Sequence, residues 1–159
     1  MKSSIVYASN TGNTKALAEK INEIVGDVQY IGKPNEEAMQ SETIYVGFWT
    51  AKYTCTADIE EFLKGLSNKK VVLFGTAGYD NTQEFFDKIM DTVAVHINDT
   101  NTILGRFMCQ GKVSEGKKQQ LQKMDENKYE QMKQKISEGD NKPDEDSFKA
   151  LASFIDKLK

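Results

Sequence analysis

The 159-residue sequence predicts an α/β fold of the doubly wound kind, with helices on both faces of a parallel sheet. Two observations carry this expectation. Residues 5–8, 44–48 and 71–74 form short apolar runs without polar alternation, the pattern of strands covered on both faces. Between and after them, apolar residues recur at the helical period.

The elements follow in order. After the first run, Leu17, Ala18, Ile21, Ile24 and Val25 form one helical stripe, closed by Gly26 at a C-cap position. Val28 to Ile31 alternates, as an edge strand does. The segment 32–42, "GKPNEEAMQSE", has room for a loop or one or two helical turns. Ile59, Phe62, Leu63 and Leu66 form the next stripe. Phe85, Phe86, Ile89, Met90 and Val93 form a third, and Asn81 with Glu84 resembles a capping box at its start. Ile103 to Cys109, with Gly105 and Arg106 inside it, reads as a second edge strand. From 114 to 142 the chain is rich in Lys, Gln, Glu and Met, with no strand pattern. Tyr129, Met132 and Ile136 place an amphipathic helix there. Pro143 then opens a final helix with Phe148, Leu151, Ala152, Ile155 and Leu158 on one face. One domain over 1–159, carrying a helical insertion at about 114–142, is expected.

Composition narrows the function. A net charge of -3 and a pI near 5.3 argue against nucleic acid, and mild acidity suits docking on basic partner surfaces. No run could span a bilayer or serve as a secretion signal, so no membrane role and a cytoplasmic location are expected. Cys55 and Cys109 form no CxxC pair or metal spacing, and read as reduced thiols. A redox disulfide between them would need loop movement, because their strands are expected two positions apart. His96 is the only histidine, which leaves a histidine-rich metal site or a Ser-His-Asp triad hard to build.

The chemistry concentrates in one turn. Ser9, Asn10, Thr11, Gly12, Asn13 and Thr14 lie between the first strand and the first helix. A helix N-terminus holds unpaired N–H groups and partial positive charge. Ser9, Thr11 and Thr14 can add hydroxyl donors, and Gly12 permits a positive φ. The turn lacks the GxxxxGK[ST] of a Walker A loop and the GxGxxG of a dinucleotide fold. A plain turn and cap would use similar residues. Their density after the first strand of a parallel sheet favours a phosphate site.

The string "SNTGNTKALA" resembles the phosphate loop of the flavodoxin family, written [ST]-x-T-G-x-T before a helix. The likeness covers residues 1 to about 113 and the last helix. It implies a five-stranded sheet of order 2-1-3-4-5, FMN bound non-covalently, and electron transfer between redox partner proteins, a reductase and an acceptor. The alternative is a flavin-dependent reductase or oxidase acting on a quinone-like or tetrapyrrole-like substrate. Ligands of such folds sit beyond the carboxyl ends of the strands. The next loops there read "GFWTAKYTCTAD" (47–58) and "GTAGYDNTQEF" (75–85). Phe48, Trp49, Thr50 and Lys52, with Thr76, Ala77, Gly78 and Tyr79, are the expected ring-binding residues. Trp49 or Tyr53, and Tyr79, offer stacking faces. Core packing remains open for Trp49, and a plain surface position for Tyr79.

Two departures from the family stand out. Flavodoxins usually carry a glycine in the loop after the third strand, whose peptide turns toward the flavin on reduction. Residues 48–58 contain none, so Trp49 to Cys55 are expected to take a positive φ less readily. Lys52 also brings positive charge where acidic surroundings are usual. The strings "GFWTAK", "CTAD" and "CQGK" resemble a divergent bacterial branch.

Overall fold

A computed structural model describes residues 2–158. Five strands, β1 (Ser3–Tyr7), β2 (Val28–Gly32), β3 (Thr43–Trp49), β4 (Lys70–Ala77) and β5 (Thr102–Gln110), form one parallel sheet of order β2-β1-β3-β4-β5. The helices are α1 (Asn13–Val25), α2 (Ala57–Lys64), α3 (Gln83–Ala94), α4 (Glu115–Met124), α5 (Glu126–Glu138) and α6 (Glu145–Lys157). The segment after β2 forms one short 3-10 helix, Glu36–Gln40.

The continuous apolar runs divide by period two onto the two faces. Val6, Ile44, Val46, Phe48, Val71 and Leu73 pack with Ile59, Phe62 and Leu63 of α2 and Ile89, Met90 and Val93 of α3. Ile5, Tyr45, Val72 and Phe74 pack on the other side with Leu17, Ala18 and Ile21 of α1 and Leu151 and Ile155 of α6. Both faces are thus sealed, which is why the strands lack polar alternation.

Two glycines set the sheet's carboxyl end. Gly47 pairs with Phe74 and Phe48 pairs with Gly75 across β3 and β4. A Cβ on Gly47 would stand 2.3 Å from the Phe74 ring, and one on Gly75 would stand 2.6 Å from the Phe48 ring. Each ring therefore lies over the neighbouring glycine, one on each face.

Two expectations need correction. Asn81 does not cap α3; Thr82 does, accepting from Phe85 N–H at 3.3 Å. The reason is Asp80, whose carboxylate takes the Asn81 and Thr82 amides at 2.7 and 3.3 Å and shifts the helix start. The Asn81 amide instead reaches Glu138 Oε2 at 2.9 Å and Gln110 Oε1 at 3.3 Å. Pro143 does not open α6; Asp144 does, in a capping box with Ser147. Cys55 and Cys109 are free thiols: the first belongs to the α2/α3 face and the second to the α1/α6 face, with the sheet between them.

The 114–142 segment is a hairpin of α4 and α5. Asp125 ends the first and caps the second, accepting from Lys128 N–H at 3.0 Å. Helix α4 buries no side chain, and Ile136 anchors α5. The base is tied by Gln110 donating to the Lys135 carbonyl at 2.6 Å and by Lys118 donating to Asp140 at 2.8 Å. No helix among the described residues is long and apolar enough to cross a membrane.

Candidate functional site

At the carboxyl end of the sheet the loops after β1, β3, β4 and β5 surround a cleft of about 390 Å³. The order reverses between β1 and β3, so their connections leave in opposite directions and open a crevice there.

The turn before α1 forms one wall. Gly12 sits at φ 89° as the N-cap residue, in the left-handed region that a glycine takes at little cost. Ser9 Oγ accepts from Lys15 N–H at 3.3 Å, and Ala16 N–H returns to Gly12 O at 3.0 Å. The amides of Gly12, Asn13 and Thr14 precede that first helical bond and have no acceptor within the helix. The first turn of α1 carries no acidic residue to compete for them. Asn10, Thr11 and Asn13 line the cleft. The Asn13 amide also donates to Lys112 O at 2.9 Å, tying this wall to the loop after β5.

Thr14 has a different place. It is fully buried, donates to Phe48 O at 3.1 Å and lies 3.1 Å from Thr76 Oγ1. Its hydroxyl joins α1 to β3 and β4 beneath the cleft. The Phe48 ring likewise belongs to the core. Thr50 clamps β4 from the side, donating both N–H and Oγ1 to Thr76 O at 3.0 and 2.8 Å.

The opposite wall is aromatic. Trp49, Tyr53, Tyr79 and Phe85 line the cleft, with Thr50, Ala51, Thr76, Ala77 and Gly78 between them. Trp49 belongs to neither core cluster, and the Lys117 ammonium sits 4.7 Å from its ring centre. Tyr53 meets Phe85 edge-on with ring centres 6.1 Å apart. Burial, then the nearby Tyr53, raises the Tyr79 phenol above its ordinary range, so it stays a neutral hydrogen-bond donor.

The loop after β3 takes a positive φ without glycine, contrary to expectation. Lys52 and Tyr53 have φ of 52° and 68°. Ala51 and Thr54 hold them by paired hydrogen bonds, Ala51 N–H to Thr54 O at 2.7 Å and Thr54 N–H to Ala51 O at 3.1 Å. Two positive-φ residues closed this way form the tight turn that normally selects Asn-Gly. The bond pair and the Tyr53–Phe85 contact offset a backbone cost of about 1 kcal/mol per residue.

Sequence reasoning missed Phe85, Lys112, Val113, Ser114, Lys117 and Lys128, which also line the cleft. The rule that ligands sit beyond the strands' carboxyl ends applies equally to the loop after β5, "GKVSEGKK", and would have found most of them. Lys128 comes from α5 and had no local signal. The lining contains four lysines and no carboxylate, cysteine or histidine. The described residues contain no cluster suited to a metal ion. The arrangement can hold an anion at the turn and a flat ring between aromatic faces, and it offers no carboxylate or imidazole for general acid–base work.

Comparison with known proteins places this architecture. The model of the flavodoxin domain family matches residues 4–156. A flavodoxin-like domain-containing protein BilS of Clostridium symbiosum is 36% identical over 135 residues, 73% of this chain and 71% of that protein. The protein of the same description from Clostridioides difficile is 30% identical over 165 residues, 97% of this chain and 94% of its own length. A flavoprotein of Lactobacillus acidophilus, solved in complex with FMN, superposes with a TM-score of 0.51. It is 19% identical and covers 68% of this chain and 93% of the other.

Proposed function

Because this chain belongs to the flavodoxin domain family, whose cofactor is FMN, we propose that it carries electrons between a reductase and an acceptor enzyme. One observation supports a carrier above all: the lining joins an anion-binding helix start to aromatic walls but offers no carboxylate, imidazole or thiol. FMN supplies the redox chemistry, and the residues present fit it. Asn10, Thr11, Gly12 and Asn13 stand where the phosphate would be held by backbone amides and neutral side chains. Trp49, Tyr53 and Tyr79 flank the space for the ring. The backbone of Thr76, Ala77 and Gly78 is available to its polar edge.

The alternative, an FMN-dependent reductase or oxidase acting on a quinone-like or tetrapyrrole-like substrate, draws on one feature. A second hollow of about 220 Å³, lined by Tyr79, Lys117, Gln120, Leu121 and Met124, adjoins the cleft.

The test has two parts. Titration followed through Trp49, the only tryptophan, should show FMN binding at least about tenfold tighter than riboflavin, since a hydrogen bond to a charged group contributes roughly 1.5–3 kcal/mol. Equal affinities would remove the phosphate site. The FMN-loaded protein should then stimulate cytochrome c reduction by a flavodoxin reductase in proportion to its concentration. No stimulation would overturn the carrier reading.

A further inference from the structure

We propose that the mouth of the cleft is a docking surface for a carboxylate-rich face of the redox partner. The inference rests on the electron-carrier reading and concerns which partner surface that carrier meets.

Three separate segments bring lysines to one rim: Lys52 from the turn after β3, Lys112 from the loop after β5, and Lys117 and Lys128 from the α4–α5 hairpin. No carboxylate shares the lining. Among the described residues none of these four takes part in an ion pair. The neighbouring Lys118 shows the contrast, held by Asp140 at 2.8 Å and Glu115 at 3.3 Å. A bound flavin phosphate brings about two negative charges, so four ammoniums leave about two positive charges at the mouth.

The rest of the molecule has the opposite sign. Setting these four aside from 21 basic residues leaves 17 against 24 acidic ones, so the remainder carries -7. Such a separation orients the molecule mouth-first toward a negative surface and away from a positive one. The mildly acidic composition, read alone, suggests docking on basic surfaces; the placement of the charges reverses that.

Two apolar side chains mark the mouth as a protein interface in place of a bare anion site. Tyr53 is 57% exposed in the cleft wall, and Met124 is 77% exposed in the adjoining hollow. Exposed apolar groups inside a charged rim are the anatomy of a protein–protein contact.

The test uses the FMN-loaded protein and two labelled peptides, hexaglutamate and hexalysine, followed by fluorescence anisotropy. Hexaglutamate should bind more tightly, and its affinity should fall about tenfold or more as salt rises from about 20 to about 200 mM. The triple variant Lys52→Gln, Lys117→Gln, Lys128→Gln should lose about tenfold in hexaglutamate affinity. The control Lys2→Gln, Lys69→Gln, Lys157→Gln removes the same charge away from the cleft and should keep its affinity. Equal losses in both triples, or tighter binding of hexalysine, would overturn the docking surface. Absorbance of bound flavin is recorded for each protein. Failure to hold FMN counts against the carrier, whereas retained FMN with a preference for hexalysine counts against the docking surface alone.

Discussion

Replacing Thr14 with Val separates two tasks within the turn at 9–14. The side chain keeps its shape and loses its hydroxyl, at a position with no solvent exposure. Two contacts go with it: the donation to Phe48 O and the bond with Thr76 Oγ1, each at 3.1 Å. A net hydrogen bond contributes about 1 kcal/mol, and a buried polar atom left unpaired costs about 1–3 kcal/mol. The added methyl returns about 0.8 kcal/mol of apolar burial. The balance is a loss of about 2 kcal/mol, or about 4–8 °C in Tm for a chain of this size. Urea and thermal unfolding of the flavin-free protein, followed by circular dichroism, measure it. Thr11→Val is the partner experiment: Thr11 is exposed on the cleft, so stability should move by less than about 0.5 kcal/mol while FMN affinity falls about tenfold. A Thr14→Val protein as stable as the parent, or a Thr11→Val protein equally destabilised, would refute the division.

Three further outcomes follow from particular residues. Lys52→Asn should gain about 0.5 kcal/mol in urea unfolding and Lys52→Val should lose about 1 kcal/mol or more, because asparagine tolerates a φ of 52° and a β-branched residue does not. Neither thiol should react with Ellman's reagent at pH 8 until the protein is unfolded. Cys55 is buried, and burial pushes the Cys109 thiol up to about 12. Asp144, held down to about 2 chiefly by its bond with Lys142, brings stability that is complete above its ordinary value of 3.8 and lost as pH falls through about 2. Asp144→Asn keeps a cap and removes the charge, so its Tm should lie below the parent's at pH 6 and converge with it near pH 2; a constant gap across that range would exclude the linkage.

Much of the fold was readable from local pattern. The apolar runs marked β1, β3 and β4, and the stripes marked α1, α2, α3 and α6, because burial on two faces and burial of one helical stripe leave different periods in a chain. Helix starts were less readable. Asn81, Asp80 and Thr82 are all competent caps, and only the Asp80 carboxylate closing on the next two amides decided which one served. The left-handed pair Lys52–Tyr53 had no local signal. It is held by the Ala51–Thr54 bonds and by Phe85, more than thirty residues away.

By itself the sequence determined the composition of the turn at 9–14: hydroxyls, amides and one glycine before a helix, which suit an anion site and also a plain turn and cap. It determined the sheet's class too, since solvent contact is written residue by residue in polarity. The tertiary structure decided which turn residue faces the cleft and which braces the strands: Thr11 and Thr14 are chemically alike, and only packing exposes one and buries the other. It also decided the sign of the mouth. A chain of net charge -3 gathers four lysines around one cleft, none in an ion pair among the described residues, because strands adjacent in space carry loops far apart in sequence. Charge totals are additive along a chain, but the field at a site depends on distance, and distance belongs to the fold.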